Sequence, residues 1–181
     1  MVQRGEWLTA LRVIHCDDIP GLDANTEHQL CALHAQFFNE HQKWVTECPR
    51  SLPVSSLKEY TQHDSFIVYA CVANEVVGFV SGSLAPEDAV VVSSIFVRKE
   101  LRDYGVGQQL LRALIATHSP REVVASVLQR NRVGDRFFAR FGFNKKCSYG
   151  WCEYRLRTTG INNNDQNQVG FSTTGVITNT K

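Results

Sequence analysis

An α+β sandwich is what this 181-residue sequence predicts, on three observations. Apolar runs at 66–73 and 76–84 flank an Asn74-Glu75 turn, the pattern of a β-hairpin. The β-branched run 89–97 breaks at charged residues, passes through Arg102-Asp103-Tyr104-Gly105-Val106-Gly107, and enters a helical period. There Val106, Leu110, Leu111, Leu114 and Ile115 share one face. Finally, 143–149 and 151–157 read as a closing antiparallel pair that turns at Gly150. Antiparallel strands come first and a strand–helix–strand unit follows, which is the order of an α+β architecture.

The remaining elements fall in between. Residues 8–16 alternate as a first strand, ended by Asp17-Asp18-Ile19-Pro20-Gly21. Asn25 or Thr26 can cap a helix that carries Leu30, Leu33, Phe37, Phe38, Trp44 and Val45 on one face. His34 and His41 lie on or beside that face. They are either core-flanking histidines or the border of a substrate pocket, and no third ligand has a metal-site spacing. Cys48 to Pro53 breaks the helix, and Ser55 or Ser56 can cap a short second one over 55–60. Gly78 and Gly82 inside a strand pattern predict a bulge or a close backbone neighbour. The helix after the glycine loop stops at Ser119-Pro120, 122–128 is another strand, and Asn131 caps a helix that Gly142 ends. From about Thr158 the composition turns to Asn, Gln, Thr and Gly. This divides the chain into a domain at 1–157 and a polar, flexible tail at 158–181.

Composition excludes some classes. A formal net charge of +1 argues against a general nucleic-acid or membrane-surface binder. No apolar run approaches the ~18 residues of a membrane span, and no signal peptide precedes the first strand. The cysteines are Cys16, Cys31, Cys48, Cys71, Cys147 and Cys152, and none forms a C-x-x-C pair. Most sit in apolar patterns, which predicts free thiols and a reducing, cytoplasmic setting, with a Cys147–Cys152 disulfide conceivable.

Gly105 and Gly107 let backbone approach a ligand, and the helix behind them offers free N–H groups and a positive dipole end. With strand before, helix after and Arg102 three residues ahead of Gly105, the loop predicts a phosphate-bearing ligand. Arg102-x-x-Gly105-x-Gly107 in this setting resembles the acyl-coenzyme A loop of the general-control-related N-acetyltransferase (GNAT) superfamily. Residues 131–143, NRVGDRFFARFGF, resemble a second segment of that family through Asn131, Gly134, Phe137-Phe138 and Phe141-Gly142-Phe143. The order of elements agrees over about 8–157.

The resemblance implies a mostly antiparallel central sheet flanked by helices, the acyl-CoA N-acyltransferase fold. It implies that the backbone of Ile95, Phe96 and Val97 pairs with a pantetheine arm like an added strand. Amides of Arg102, Asp103, Tyr104, Gly105, Val106, Gly107 and Gln108 would hold the pyrophosphate, with Arg102 adding charge. The strand from Glu122 would splay from the strand at Ala89, and a backbone N–H near Ile95 would polarise the thioester carbonyl. Asn131 would cap the next helix or touch the cofactor. Arg132 and Arg136 would either meet the outer phosphate or stand as solvated helix charges.

One position departs from the family pattern. Many members have Tyr, able to protonate the departing thiolate, where this chain has Phe138. A thiol of pKa ~8.5 leaves tolerably without it. Tyr149, Tyr104 or a water are the substitutes. For the base the candidates are Glu87 and Asp88 in the turn before the central strand, directly or through water, and His34. Ser93 and Ser94 interrupt that strand, either to order a water or to mark a bulge.

The chemistry implied is acetyl-CoA-dependent transfer to a primary amine by direct attack, because no Cys sits with a paired His. A small-molecule amine stands ahead of a peptide amine, since no acidic groove for a basic peptide is visible. The implied enzyme is a monomer or homodimer that needs no metal and binds neither nucleic acid nor membrane. The competing class is a non-catalytic acyl-CoA-binding or interaction module of the same fold, in which Phe138 marks lost chemistry.

Overall fold

The computed structural model describes residues 12–16, 22–42 and 66–158. The expected helix over 55–60, the turn at 17–21, the first residues of the 8–16 strand and the tail beyond Thr158 lie outside the described residues. The elements are β1 (Arg12–Cys16), α1 (Ala24–Gln42), β2 (Phe66–Val72), β3 (Glu75–Ala85), β4 (Ala89–Val97), a 3₁₀ turn (Lys99–Leu101), α2 (Val106–His118), β5 (Glu122–Leu128), α3 (Arg132–Phe141), β6 (Asn144–Ser148) and β7 (Trp151–Arg157). The strands form one seven-stranded sheet in the order β1-β2-β3-β4-β5-β7-β6. Every neighbour pair is antiparallel except β4–β5. The predicted architecture is therefore the observed one.

Both faces of the sheet are covered. On one, Val68, Val80, Val90, Val92, Val123 and Ala125 pack against Leu110, Leu111 and Leu114 of α2 and Phe138 of α3. On the other, Ile67, Tyr69, Val76, Phe79 and Phe96 pack against Leu30 and Leu33 of α1. The run FIVYAC of β2 is buried without alternation because helices cover it on both sides. Each fully buried Leu or Val contributes about 1.5–3 kcal/mol of transfer free energy, so α2 is held mainly by its apolar face.

Three local expectations need correction. The cap of α1 is Asp23 rather than Asn25 or Thr26. Asp23 Oδ1 accepts from the Asn25 and Thr26 amides (3.1 and 2.9 Å), and Thr26 Oγ1 donates to its other oxygen (2.6 Å). The Thr26 hydroxyl, then the Thr26 amide, hold that carboxyl below its usual range. Cap-forming side chains crowd 23–26, and sequence does not say which turns away first. The second correction is that the strand expected at 143–149 is shorter, at Asn144–Ser148. Phe143 turns inward to the core, and Tyr149 and Gly150 take positive φ (49° and 81°) to make the hairpin turn.

The third correction is a disulfide between Cys147 and Cys152. The tight turn sets the two residues directly opposite, with Cα atoms 4.0 Å apart. Spacing rules tuned to C-x-x-C do not register such a cross-strand pair. Cys71 is a free thiol, but the cysteines no longer support a reducing compartment.

The glycine expectation holds at both positions. A Cβ on Gly78 would meet the Phe96 carbonyl oxygen at 2.8 Å. A Cβ on Gly82 would run into the Val91 carbonyl oxygen and meet Phe66 Cζ at 3.0 Å, and the β3–β4 register shifts between Ser81 and Gly82. Gly82→Ala is therefore expected to cost about 3 kcal/mol or more, since the colliding atom is backbone and cannot rotate away. The midpoint and slope of urea unfolding measure this, against an expected loss below 1 kcal/mol at the exposed Leu84→Thr (~0.5 kcal/mol).

Candidate functional site

The site begins where β4 and β5 part. They pair in parallel only from Ala89↔Glu122 to Val92↔Ala125. Beyond that point β4 stays on β3 to Val97, while β5 stays on β7 to Leu128. The cause is the bulge. Ser81 pairs with Ser94 and Gly82 with Val92, so Ser93 is an extra residue on β4, and a bulged strand bends away from its neighbour. Ser93 and Ser94 thus stand at the vertex of a V-shaped gap, and the splay expected from the resemblance is present.

Antiparallel alternation decides which backbone groups face the gap. The Arg98 amide donates to the Val77 carbonyl (2.9 Å). Phe96 therefore bonds to β3, whereas Ile95 and Val97 turn their N–H and C=O groups toward the gap. Of the three residues expected to pair with a pantetheine arm, Ile95 turns both backbone groups to the gap, Val97 turns its N–H there while its carbonyl accepts from Arg102 Nε, and Phe96 contributes a buried side chain on the α1 face.

The loop follows at the mouth of the gap. Gly105 is the N-cap of α2 at φ 84°, with no side chain bonding the helix start. A Cβ there would meet nothing within 4 Å. The first amide taken within the helix is Gln109 N–H, by Gly105 O at 3.0 Å. The amides of Val106, Gly107 and Gln108 are those a helix start leaves without intrahelical acceptors, and they sit at the positive end of the dipole. Asp103 (φ 66°) shapes the turn, Tyr104 is half-buried, and the Val106 side chain belongs to the core. Gly107 has a packing role: a Cβ there would meet Phe137 Cε2 at 3.0 Å and Val97 Cγ2 at 3.7 Å.

Arg102 does not stand open to a phosphate. Its Nε donates to the Val97 carbonyl (2.9 Å), its Nη2 lies 2.8 and 2.9 Å from the two oxygens of Glu40, and its guanidinium carbon lies 5.0 Å from the centre of the Phe96 ring. Asn131 caps α3 as expected, with Oδ1 accepting from Gly134 N–H (3.0 Å). Its amide nitrogen lies 3.3 Å from His41 Nε2, and His41 Nδ1 is 2.9 Å from the Phe37 carbonyl. A carbonyl only accepts, so Nδ1 carries the proton and Nε2 accepts from Asn131. Sequence reasoning left His41 open between a core flank and the border of a substrate pocket, and did not single out Glu40. Both are ordinary polar residues at the end of a helix, without a motif of their own.

Phe138 is 3% exposed, its ring 5.0 Å from Phe143 and 5.1 Å from Tyr154. Tyr154 is a phenol that the sequence reading passed over, although inward alternation along β7 with Cys152 marked it. Its hydroxyl donates to Asp135 Oδ1 (2.6 Å), which also accepts from Lys145 Nζ (2.7 Å). Burial first, and then that bond, push the Tyr154 hydroxyl above its ordinary pKa. This network ties α3 to β6 and β7. Arg132 and Arg136 stand exposed on α3.

The remaining candidates are dispersed. Glu87 and Asp88 form a turn with positive φ (65° and 57°) at the paired end of β4, and Asp88 faces Arg121 Nε at 3.4 Å. From Ala89 to Ile95 is six residues, roughly 20 Å at ~3.3 Å per residue, too far for direct proton transfer at Ile95. Tyr149 is fully exposed on the β6–β7 turn, which the bond from Gln129 N–H to Gly150 O (2.9 Å) ties to the end of β5. His34 is 4% exposed among Phe37, Phe38 and Phe79. Among the described residues no three metal-ligating side chains lie together, and no helix is long and apolar enough to cross a membrane.

The comparisons with known proteins agree with this geometry. Residues 28–143 match the acetyltransferase (GNAT) family, so the chain belongs to that family. In fold it is similar to a GNAT-family acetyltransferase from Staphylococcus aureus Mu50 (TM-score 0.60, 15% identity, covering 82% of this chain and 100% of that one). It is also similar to the PaiA N-acetyltransferase from Thermoplasma acidophilum, solved in complex with coenzyme A (0.59, 11%, 81% and 99%). A third is yncA from Salmonella typhimurium, solved with its cofactor acetyl-CoA (0.56, 15%, 82% and 94%). No curated protein matches the chain.

Two predictions follow from the site. Gly105→Glu adds a carboxylate beside the α2 start in open space, at a strain of about 1 kcal/mol for the positive φ. It is expected to abolish coenzyme A binding in calorimetry while the circular dichroism spectrum stays native. Gly107→Glu is expected to disturb the fold as well, through Phe137. The second concerns His34, whose imidazole burial pushes down to about 4. Its unfolded pKa of ~6.5 is higher, so the unfolded state takes the proton first, and this contribution to stability is complete above ~6.5 and lost as pH falls toward 4. Between pH 7.5 and 5, His34→Leu is expected to lose about 2 kcal/mol less unfolding free energy than the parent, by urea titration at both pH values.

Proposed function

We propose that this chain is an acetyl-CoA-dependent N-acetyltransferase that transfers to a primary amine by direct attack, with a small-molecule amine favoured over a peptide amine. The observation that carries it is the β4–β5 gap, with strand backbone of Ile95 and Val97 facing it along one wall and a helix start without a side-chain cap at its mouth. An extended arm ending in a pyrophosphate fits that combination. The relatives solved with coenzyme A or acetyl-CoA support this choice of co-substrate.

Acetyl-CoA would supply a thioester, an acyl donor whose thiolate leaves near neutral pH. The chain's own groups then have distinct tasks. Ile95 and the Val97 N–H hold the arm through backbone bonds, and the α2 amides with Gly105 hold the pyrophosphate. The Ile95 N–H is the donor aimed at the carbonyl oxygen as charge builds on it. Ser94, at the vertex, can order a water that takes the proton from the incoming amine. An α-amine, with pKa near ~7.8, needs far less such help than a lysine-like amine at ~10.4. Phe138 offers no proton, so the thiolate leaves unprotonated or takes one from water, or from Tyr149 if the hairpin tip reaches the gap. In this reading residues 1–157 carry the transferase domain and 158–181 a polar tail. The enzyme works as a monomer or homodimer, without metal, nucleic acid or membrane.

The buried Phe138 favours a second reading, an acyl-CoA-binding module without turnover. Thiol release from acetyl-CoA separates the two across a panel of polyamines, amino sugars, amino acids and peptides. Transferase activity is expected to release thiol at least tenfold (~1.4 kcal/mol) above the amine-free rate with one class of amine. Tight acetyl-CoA binding with no amine-dependent release would instead establish the module.

A further inference from the structure

The last turn of α1 touches both walls of the gap. Glu40 and His41 are consecutive, so their side chains leave the helix about 100° apart. Glu40 reaches Arg102 on the loop wall, within 2.9 Å. His41 reaches Asn131 on the β5–α3 wall, at 3.3 Å. Each partner is itself fixed. Arg102 is bound to the Val97 carbonyl at the end of β4 and lies over Phe96. Asn131 is bound to Gly134 N–H at the start of α3, and its own amide to Leu128 O at the end of β5 (2.8 Å). A chain of polar contacts therefore runs from one wall, through a single helical turn, to the other. His41 cannot rotate freely at this point, because Nδ1 donates to Phe37 O in its own helix.

We propose that this turn is a clasp that sets the width of the β4–β5 gap, with Glu40 and His41 as positioning residues that touch no reacting atom. The proposal rests on the gap being the acyl-coenzyme A site. It reassigns Arg102 from phosphate ligand to anchor of the loop: its charge is met by Glu40, and its Nε is used on Val97. Sheet pairing cannot set the width, since β4 and β5 share no ladder beyond Val92 and Ala125. A tie from a third element does so, and α1 is seated for it by the burial of Leu30 and Leu33.

The opposite role for Glu40 makes the opposite prediction. If Arg102 were a phosphate ligand held back by Glu40, removing that charge would free it and tighten binding. The test uses the full chain, with coenzyme A as the probe in titration calorimetry and amide hydrogen exchange on the ligand-free protein. Glu40→Gln and His41→Leu are each expected to weaken coenzyme A binding roughly tenfold. Each should also speed exchange on both walls, at the hydrogen-bonded Arg102 and Gln109 amides of the loop and at Gly134. Glu122→Gln, which removes an ion pair of the same class to Arg155 at the paired end of β5 (2.7 Å), is expected to change neither. Tighter or unchanged binding in Glu40→Gln overturns the clasp, as does exchange that quickens only on the wall nearest each substitution. If the parent protein bound no coenzyme A, the assignment of the gap would fall, and the two-wall exchange pattern alone would decide the clasp.

Discussion

One extra residue in β4 governs the rest of this structure. A strand between two neighbours can leave one of them through a local change of register, because a bulge bends the strand away. Ser93 is that change. It lets β4 keep its bonds to β3 while parting from β5, and Gly82 permits it by having no Cβ beneath the Val91 carbonyl. The gap is therefore a product of pairing geometry rather than of a missing side chain. The backbone edge that faces it, Ile95 and the Val97 N–H, follows from the same register.

The gap would be useless without fixed walls. The loop wall is fixed by α2, whose apolar face is buried, and by Gly107 packing on Phe137. The other wall is fixed by the Asn131 cap and by the Asp135, Lys145 and Tyr154 bonds that hold α3 to the last hairpin. An exposed ion pair between flexible side chains contributes little. Arg102 differs because one guanidinium serves a backbone carbonyl, a carboxylate and a ring face at once, so its ordering cost is shared among three contacts. Specificity of position, more than stability, is what such a residue supplies.

The chemistry at the vertex is sparse by the same logic. Phe138 and Tyr154 stack in the core, and the only hydroxyl of the pair is spent on Asp135. His34 is surrounded by rings, and Glu87 and Asp88 sit at the closed end of the strand. What the gap offers is placement: backbone donors in fixed positions and two serines at the vertex. For attack by an already neutral amine on a thioester, orientation and a polarised carbonyl supply most of what a rate needs.

Sequence alone determined the order of elements, the hairpins, the glycine loop and the cap at Asn131, because each rests on local period or local turn chemistry. It also marked Ser93 and Gly82 as irregular, since polar and Cβ-less residues interrupt an apolar strand. Three things were decided only by the tertiary structure, because they depend on which residues the fold sets against one another. Cys147 found Cys152 through the register of a turn, not through a cysteine motif. Arg102, read as a phosphate ligand from its motif, is held by Glu40, 62 residues away in sequence. His41, left open as a core flank or a pocket border, meets Asn131 across the gap at a separation of 90 residues. Periodicity places a side chain on a face, but only packing of one element against another says which group that face will meet.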